Sequence, residues 1–298
     1  MNIRKNIPNA ITAGNLFCGC IALVFAFRGE LFTSAVFVGL AALLDFLDGF
    51  AARLLKVSSP IGKDLDSLAD MVTFGLVPGI TVFHLFYFAL IQSKTQGITY
   101  EIQQLSRENG IAFQFSSWEL LLPYLAFFIT VFSAIRLAKF NNDERQTDSF
   151  IGLPTPANAI LIMSIPVYLS LEFGFDSFDF TINPLFYTKG AYNSLFLSKS
   201  VGTILSDPSI GLIGKTCIQT LSSIWFYIVF TFLFSYLLIA EIKLLSLKFK
   251  NFRIKGNESR FIFLSLSLLL IILGGISVFG LVIVLYLIIS LTENFIKK

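Results

Sequence analysis

Charge is scarce in this 298-residue chain: Asp, Glu, Lys and Arg together make up 14% of it, and a soluble domain does not have so few against 55% hydrophobic residues and a mean hydropathy of +0.77. There is one histidine, His84, which lies far along an apolar run and reads as a packed polar residue rather than a base. Cysteine is limited to Cys18, Cys20 and Cys217. The first two are two residues apart, so on a helix they point to nearly opposite sides and read as small apolar packing groups. Period-two alternation is missing from the apolar runs, which argues against a transmembrane β-barrel. There is no long internal repeat and no low-complexity tract.

Long apolar runs dominate instead. Continuous stretches of about 18 to 25 residues read as membrane-spanning helices. Eight candidates stand out, at roughly 12–29, 32–55, 65–92, 117–138, 156–172, 221–243, 260–274 and 276–295. The last two are parted only around Gly274 and Gly275, so they could form one broken hairpin. The expected fold is all-α, a polytopic membrane helix bundle. Residues 1–245 would form the main membrane domain, and 246–298 a basic linker with a C-terminal helical hairpin.

Lys and Arg placement gives an orientation. With the N-terminus in the cytoplasm, inside segments carry 16 of the 22 basic residues, among them Arg53, Lys56, Lys63, Arg136 and Lys139. Residues 1–11 then form an interfacial segment rather than a cleaved signal peptide, since the run carries Asn9 and Asn15 and lacks a convincing small-residue cleavage site. Two polar connections, 93–116 and 173–220, fall outside. The stretch Glu241–Arg260 suits a cytoplasmic surface facing anionic lipid, although plain positive-inside topology explains it equally well.

Against this apolar background, Asp45, Asp48, Asp66 and Asp70 lie within 26 residues. Asp45 and Asp48 are spaced i, i+3, and Asp66 and Asp70 i, i+4, so each pair shares a helix face. Gly49 and Ala52 lie on the first pair's stripe and leave a groove poor in side chains. A carboxylate inside a membrane helix costs roughly 2.5 to 3.5 kcal/mol on insertion scales. Neutralisation by Arg53, Lys56 and Lys63 is one answer. Divalent metal is the other, because hard cations prefer carboxylate oxygens. Two divalent cations would balance four carboxylates and clamp a phosphate between them. Arg53 can grip phosphate oxygens through its planar fork. Gly49 and Gly62 let a ligand approach the backbone. One of the four acids should be freer than the others to accept a proton. Asp64 lies roughly 200° around the helix from Asp66 and is left out. Pro78 should kink the third span one or two turns beyond Asp70, and Gly75 and Gly79 permit close packing there.

The region reads D-x2-D-G-x2-A-R-x8-G-x3-D-x3-D, with fixed positions Asp45, Asp48, Gly49, Ala52, Arg53, Gly62, Asp66 and Asp70. This resembles the full signature of the CDP-alcohol phosphatidyltransferase family, whose common core is six helices. The resemblance implies a membrane transferase that cleaves the pyrophosphate of a CDP-linked lipid. It also implies that Asp45, Asp48, Asp66 and Asp70 lie at a divalent metal site (Mg2+ or Mn2+, two ions), with Asp70 doubling as general base. Gly49, Ala52, Arg53, Gly62 and Asp66 would surround the CDP moiety.

Four further segments, IPNAITAGNLFCG (7–19), DSLADMVTFGLVPG (66–79), RLAKFN (136–141) and FIGLPTPA (150–157), resemble the serine-specific branch of that family. That branch implies CDP-diacylglycerol and L-serine as substrates, with Arg136, Lys139 and Asn141 as acceptor contacts. Lys139 stands where arginine is expected and loses the bidentate fork. Gly152, Pro154 and Pro156 either shape the site wall or start a helix. Other acceptors, glycerol 3-phosphate or inositol phosphate, remain open, as does a divalent-cation transporter, for which acids near mid-bilayer on several spans would be expected. The resemblance further implies membrane lipids as partners, a homodimer, no nucleic acid and a bacterial cytoplasmic (inner) membrane, and the Lys and Arg bias puts the four Asp at the cytoplasmic ends of their spans.

Overall fold

A computed structural model describes residues 3–57, 60–95, 116–142, 152–175, 201–245 and 257–296. The middles of the two long connections, the basic linker before the last hairpin, and Lys297 with Lys298 lie outside the described residues. Among the described residues there is no β-strand.

Helices α1 (Ile3–Phe27) and α2 (Leu31–Leu55) form an antiparallel pair. Their tight turn is made by Gly29 at φ 76°, a left-handed conformation that costs glycine little. Small residues Ala22, Ala26, Ala35 and Val38 are buried along the pair. Ser34 Oγ donates to the Ala22 carbonyl at 2.8 Å. Helix α2 stops at Lys56, in left-handed conformation, whose N–H caps the Ala52 and Arg53 carbonyls.

The third span is the buried column of the bundle, with Phe74, Val77, Val82, Leu85 and Phe88 shielded. It begins as α3 (Pro60–Asp70), widens into a π-helical turn over Met71–Leu76, and continues as α4 (Val77–Thr95). Where a kink at Pro78 was expected, the irregularity described is this π-helical turn. It starts at the residue after Asp70 and ends before Pro78, and π-turns of this kind gather at functional sites. Thr130 Oγ1 donates to the Gly75 carbonyl at 3.1 Å and so satisfies an acceptor in the widened turn.

A 3-10 segment (Glu119–Ala126) leads into α5 (Phe127–Asn142). Helix α6 (Thr155–Phe173) opens with Pro154 at its N-cap and Pro156 in its first turn, so this stretch is a helix start. Gly152, at φ 73°, sits where a Cβ would come within 2.8 Å of the Leu238 carbonyl. Its N–H and that of Leu153 donate to the Ile242 and Leu237 carbonyls. The entry to α6 is thereby stitched to the end of a later helix.

The expected connection 173–220 contains two short helices, α7 (Val201–Ser206) and α8 (Leu212–Leu221). Helix α8 meets α9 (Ile224–Ile239) at a 74° bend, so the run expected at 221–243 is a shorter helix reached through a corner. Finally α10 (Glu258–Gly274) and α11 (Phe279–Ile296) are joined by a 3-10 turn at 275–278. Phe263 and Tyr286 lie with ring centroids 5.6 Å apart, which requires the chain to double back as a hairpin. Tyr286 Oη and Ser290 Oγ anchor that hairpin to the Leu245 backbone.

Among the described residues, six helical stretches are long and apolar enough to cross a membrane, Asn6–Phe27, Leu31–Leu55, Ile61–Ser93, Glu119–Asn142, Thr155–Phe173 and Glu258–Asn294. The bent α8–α9 pair makes a possible seventh, where eight were expected. The difference lies at the C-terminal hairpin, which counts here as one 37-residue stretch although it folds back on itself. The chain is a polytopic membrane helix bundle.

Candidate active site

The site is assembled at the end of the bundle where α2 finishes and α3 begins. Helical spacing puts Asp45 and Asp48 on one face of α2, and Asp66 and Asp70 on one face of α3, as the sequence implied. The structure then brings the two faces together. One oxygen from each of Asp45, Asp48 and Asp66 lies within 4.8 Å of the others, and the Asp45 and Asp66 carboxyls are within hydrogen-bonding reach of each other. Asp48 is buried and its two companions half-buried. Asp70 stands outside this trio, one turn deeper and buried, yet within electrostatic range of all three.

Protein cations do not neutralise the cluster. Among the described residues, no Lys or Arg nitrogen comes within the 4.0 Å ion-pair distance of any of these carboxylates. Lys56 is exposed in the turn after α2. Lys63 Nζ donates instead to the Asn141 carbonyl at 2.6 Å. Exposed Arg53 lies back along α2, its Nη2 3.9 Å from where a Cβ on Gly49 would be. Neighbouring carboxylates with no ion-pair partner among the described residues are the donor set that a hard divalent ion takes.

A cavity of about 280 Å3 opens beside the acids, lined by Asp48, Gly49, Ala52, Gly62, Lys63 and Asp66 together with Pro8, Asn9 and Thr12 of α1 and with Val57. Gly49, Ala52 and Gly62, singled out from sequence, make its side-chain-poor wall. The α1 contribution was not foreseen. The Thr12 hydroxyl lies 2.6 Å from Asp48 Oδ2 and 3.0 Å from the Pro8 carbonyl, and its single proton goes to the carboxylate, the stronger acceptor. Asn15 Nδ2 donates to Asp70 Oδ1 at 3.5 Å. One helix therefore supplies a partner to an acid on each of its two neighbours. The sequence showed these as two polar residues at i, i+3 inside an apolar run, within the segment IPNAITAGNLFCG.

The three expected acceptor contacts do not converge. Arg136 is buried on α5, its Nε donating to the Leu153 carbonyl at 2.6 Å and its guanidinium centred 5.4 Å from the Phe140 ring. It lies within electrostatic range of Asp70. Lys139, three residues on, is exposed near the end of α5. Asn141 is a strut, with its Nδ2 donating to Ser67 Oγ at 2.7 Å and its carbonyl receiving Lys63. With its side-chain amide on Ser67 and its backbone carbonyl receiving Lys63, Asn141 ties α5 to α3. His84 is buried in α4, about four turns past Asp70. The three cysteines are free thiols, Cys18 buried and Cys20 exposed.

The CDP-alcohol phosphatidyltransferase family model matches residues 5–186, more than half of the chain, and so takes in every element that shapes the acidic site. The chain belongs to the CDP-alcohol phosphatidyltransferase family. Among its relatives, a CDP-diacylglycerol--serine O-phosphatidyltransferase of Bacillus subtilis (strain 168) is 27% identical over 194 residues, covering 65% of this chain and 86% of the relative. The protein of the same name from Helicobacter pylori (strain J99) is 31% identical over 158 residues, 52% of this chain and 55% of the relative. A CDP-diacylglycerol--glycerol-3-phosphate 3-phosphatidyltransferase of Aquifex aeolicus (strain VF5) is 42% identical, but over 79 residues, 26% of this chain and 44% of the relative. The chain thus spans most of the length of the first relative and about half of the second. Membership of the phosphatidyltransferase family also weighs against the transporter alternative, as does the crowding of the acids at one end of two helices.

Proposed function

We propose that this protein transfers the phosphatidyl group of CDP-diacylglycerol to L-serine, giving phosphatidylserine and CMP, at the cytoplasmic side of a bacterial inner membrane. The observation that carries the reading is the carboxylate trio Asp45, Asp48 and Asp66, its oxygens within 4.8 Å of one another and unpaired with any protein cation among the described residues, beside a cavity walled by Gly49, Ala52 and Gly62. Support for serine comes from relatives of that name in two organisms over 158 to 194 residues, against 79 residues for the glycerol-3-phosphate relative. The cytoplasmic placement follows from the Lys and Arg bias, and a homodimer from the family resemblance.

Asp45, Asp48 and Asp66 would hold divalent metal, Mg2+ or Mn2+ and two ions by charge balance, with Asp70 at the edge of that site. Bound there, the metal supplies positive charge to the pyrophosphate oxygens as they gain negative charge. Gly49, Ala52 and Gly62 admit the CDP moiety close to the backbone, and Arg53 reaches its phosphates by extending from its present position over Gly49. Asp70 takes the proton of the serine hydroxyl. The hydroxyl oxygen then forms a bond to the lipid-side phosphorus, the bond from that phosphorus to the bridging oxygen breaks, and CMP leaves with the electron pair. Arg136, close to Asp70 and with guanidinium donors beyond the Nε that Leu153 engages, suits the serine carboxylate.

The test is transfer by the purified protein from CDP-diacylglycerol to radiolabelled serine or glycerol 3-phosphate with Mg2+ or Mn2+. Labelled phosphatidylserine with equimolar CMP is the expected product. Label entering lipid from glycerol 3-phosphate alone overturns the acceptor, and turnover that persists in chelator overturns the metal.

A further inference from the structure

We propose that Asn15 is the acceptor-side positioning residue, its amide N–H steadying the Asp70 carboxylate while its oxygen receives the ammonium group of an amino-alcohol acceptor. This rests on the serine-transfer reading and extends it to a helix outside the signature.

Asn15 is completely buried, in the middle of an apolar helix. Its Nδ2 faces Asp70 Oδ1 at 3.5 Å, and its Oδ1 is buried with no hydrogen-bond partner among the described residues. A buried amide oxygen without a donor is uncommon and calls for an explanation. A 3.5 Å contact is at the long end for N–H···O, the geometry of a catalytic pair that tightens when its ligand enters. Thr12, one turn away, is directed at Asp48 and supplies the Asn15 oxygen no donor.

The chemistry of the missing donor follows from what surrounds it. With the trio given over to metal, the Asp70 carboxylate and the Asn15 oxygen are left as adjacent buried acceptors, which suits a cationic hydrogen-bond donor. L-Serine carries its ammonium on the carbon next to the hydroxyl-bearing carbon. A molecule whose hydroxyl meets Asp70 therefore presents its ammonium to a group adjacent to Asp70, and Asn15 is that group. The serine carboxylate falls to the remaining side, where Arg136 is the buried cation within range of Asp70. An anionic polyol phosphate has no cation to place against Asn15.

The test compares serine with 3-hydroxypropionate, which is serine without its amino group, using the full-length protein in CDP-diacylglycerol micelles. Wild-type protein should bind serine (KM) better than 3-hydroxypropionate (Ki against serine). Asn15→Leu, of similar size, should raise the serine KM roughly tenfold to hundredfold, as expected for losing a charged hydrogen bond. It should leave the CDP-diacylglycerol KM within about twofold and the 3-hydroxypropionate Ki nearly unchanged, so that the discrimination collapses. If both acceptor constants rise equally, or if the CDP-diacylglycerol KM rises as much as that of serine, the assignment is overturned. Should Asn15→Leu not accumulate as folded protein, the same ratio is read in Asn15→Ser, whose hydroxyl is too short to span the gap. Wild-type protein inactive with serine would overturn the parent reading before any variant is made, whereas serine-active variants with intact discrimination overturn only the role of Asn15.

Discussion

Thr12 on α1 donates a 2.6 Å hydrogen bond to Asp48 on α2, so a helix outside the acidic signature holds one of its carboxylates in place. Groups that orient metal-binding side chains commonly change metal affinity by 10- to 100-fold when removed. Thr12→Val keeps the shape and deletes the donor. The Mg2+ or Mn2+ concentration for half-maximal turnover should rise about tenfold or more, with little change in maximal rate at saturating metal. A titration of activity against metal checks this, and an unchanged midpoint would mean that Asp48 needs no such support.

Asp70 differs from the other three acids by position. It is deeper than the trio and is contacted by Asn15. Asp70→Asn should therefore cut turnover by about 10²- to 10⁴-fold, the usual contribution of a general base. Metal-dependent stabilisation of the fold should survive. Asp48→Asn should lose both. Parallel measurements of serine transfer and of thermal unfolding with and without metal separate the two roles.

Much of this site was legible in the sequence because its elements are local. Helical spacing alone predicts that Asp45 and Asp48 share a face, and Asp66 and Asp70 another, and the run of Gly49, Ala52 and Gly62 announces a wall without side chains. What could not be read depends on which distant helix lands where. Thr12 and Asn15 are ordinary polar residues in an apolar run until α1 packs against both α2 and α3. Asn141 was named as an acceptor contact from the segment RLAKFN. Only the fold shows its amide tied to Ser67, 74 residues earlier. A kink in the third span was expected from Pro78, the one residue with a known local effect, but the irregularity described is the π-helical turn Met71–Leu76, where a tertiary partner, Thr130, satisfies the Gly75 carbonyl. The 74° corner between α8 and α9 escaped notice because the residues of α8 were read as the end of the polar connection 173–220 and not as a helix leading into the next span.

Metal should act on the fold as well as on the reaction. The unpaired carboxylates repel, and an ion that binds only the assembled site stabilises it by RT ln(1 + [L]/Kd), about 2.7 kcal/mol at a hundred times Kd. Adding Mn2+ or Mg2+ to chelator-treated protein should raise its unfolding temperature by several degrees. A variant with Asp45, Asp48 and Asp66 all replaced by Asn should show a raised metal-free unfolding temperature and no response to metal. A metal-induced shift that survives in this variant would place the ion elsewhere.

The packing beneath the site makes a prediction that does not involve catalysis. Gly79 on α4 faces Thr130 on α5 so closely that a Cβ there would lie 2.1 Å from Thr130 Oγ1 and 3.5 Å from its Cβ. The obstruction is the hydroxyl, and that hydroxyl is not free to swing aside, because it donates to the Gly75 carbonyl. Gly79→Ala should therefore cost about 1 to 3 kcal/mol, the range for overpacking a filled interior. Thr130→Ala, which removes the obstructing oxygen together with its hydrogen bond to the Gly75 carbonyl, should by itself cost about 1 kcal/mol. The double variant should be more stable than the sum of the two losses implies, since the alanine Cβ then occupies the space that the threonine side chain vacated. Such non-additivity between touching residues is what a double-mutant cycle measures. Thermal unfolding of the four proteins in one detergent decides it, and simple additivity would show that α4 and α5 shift apart to admit the methyl group instead of meeting it at Thr130.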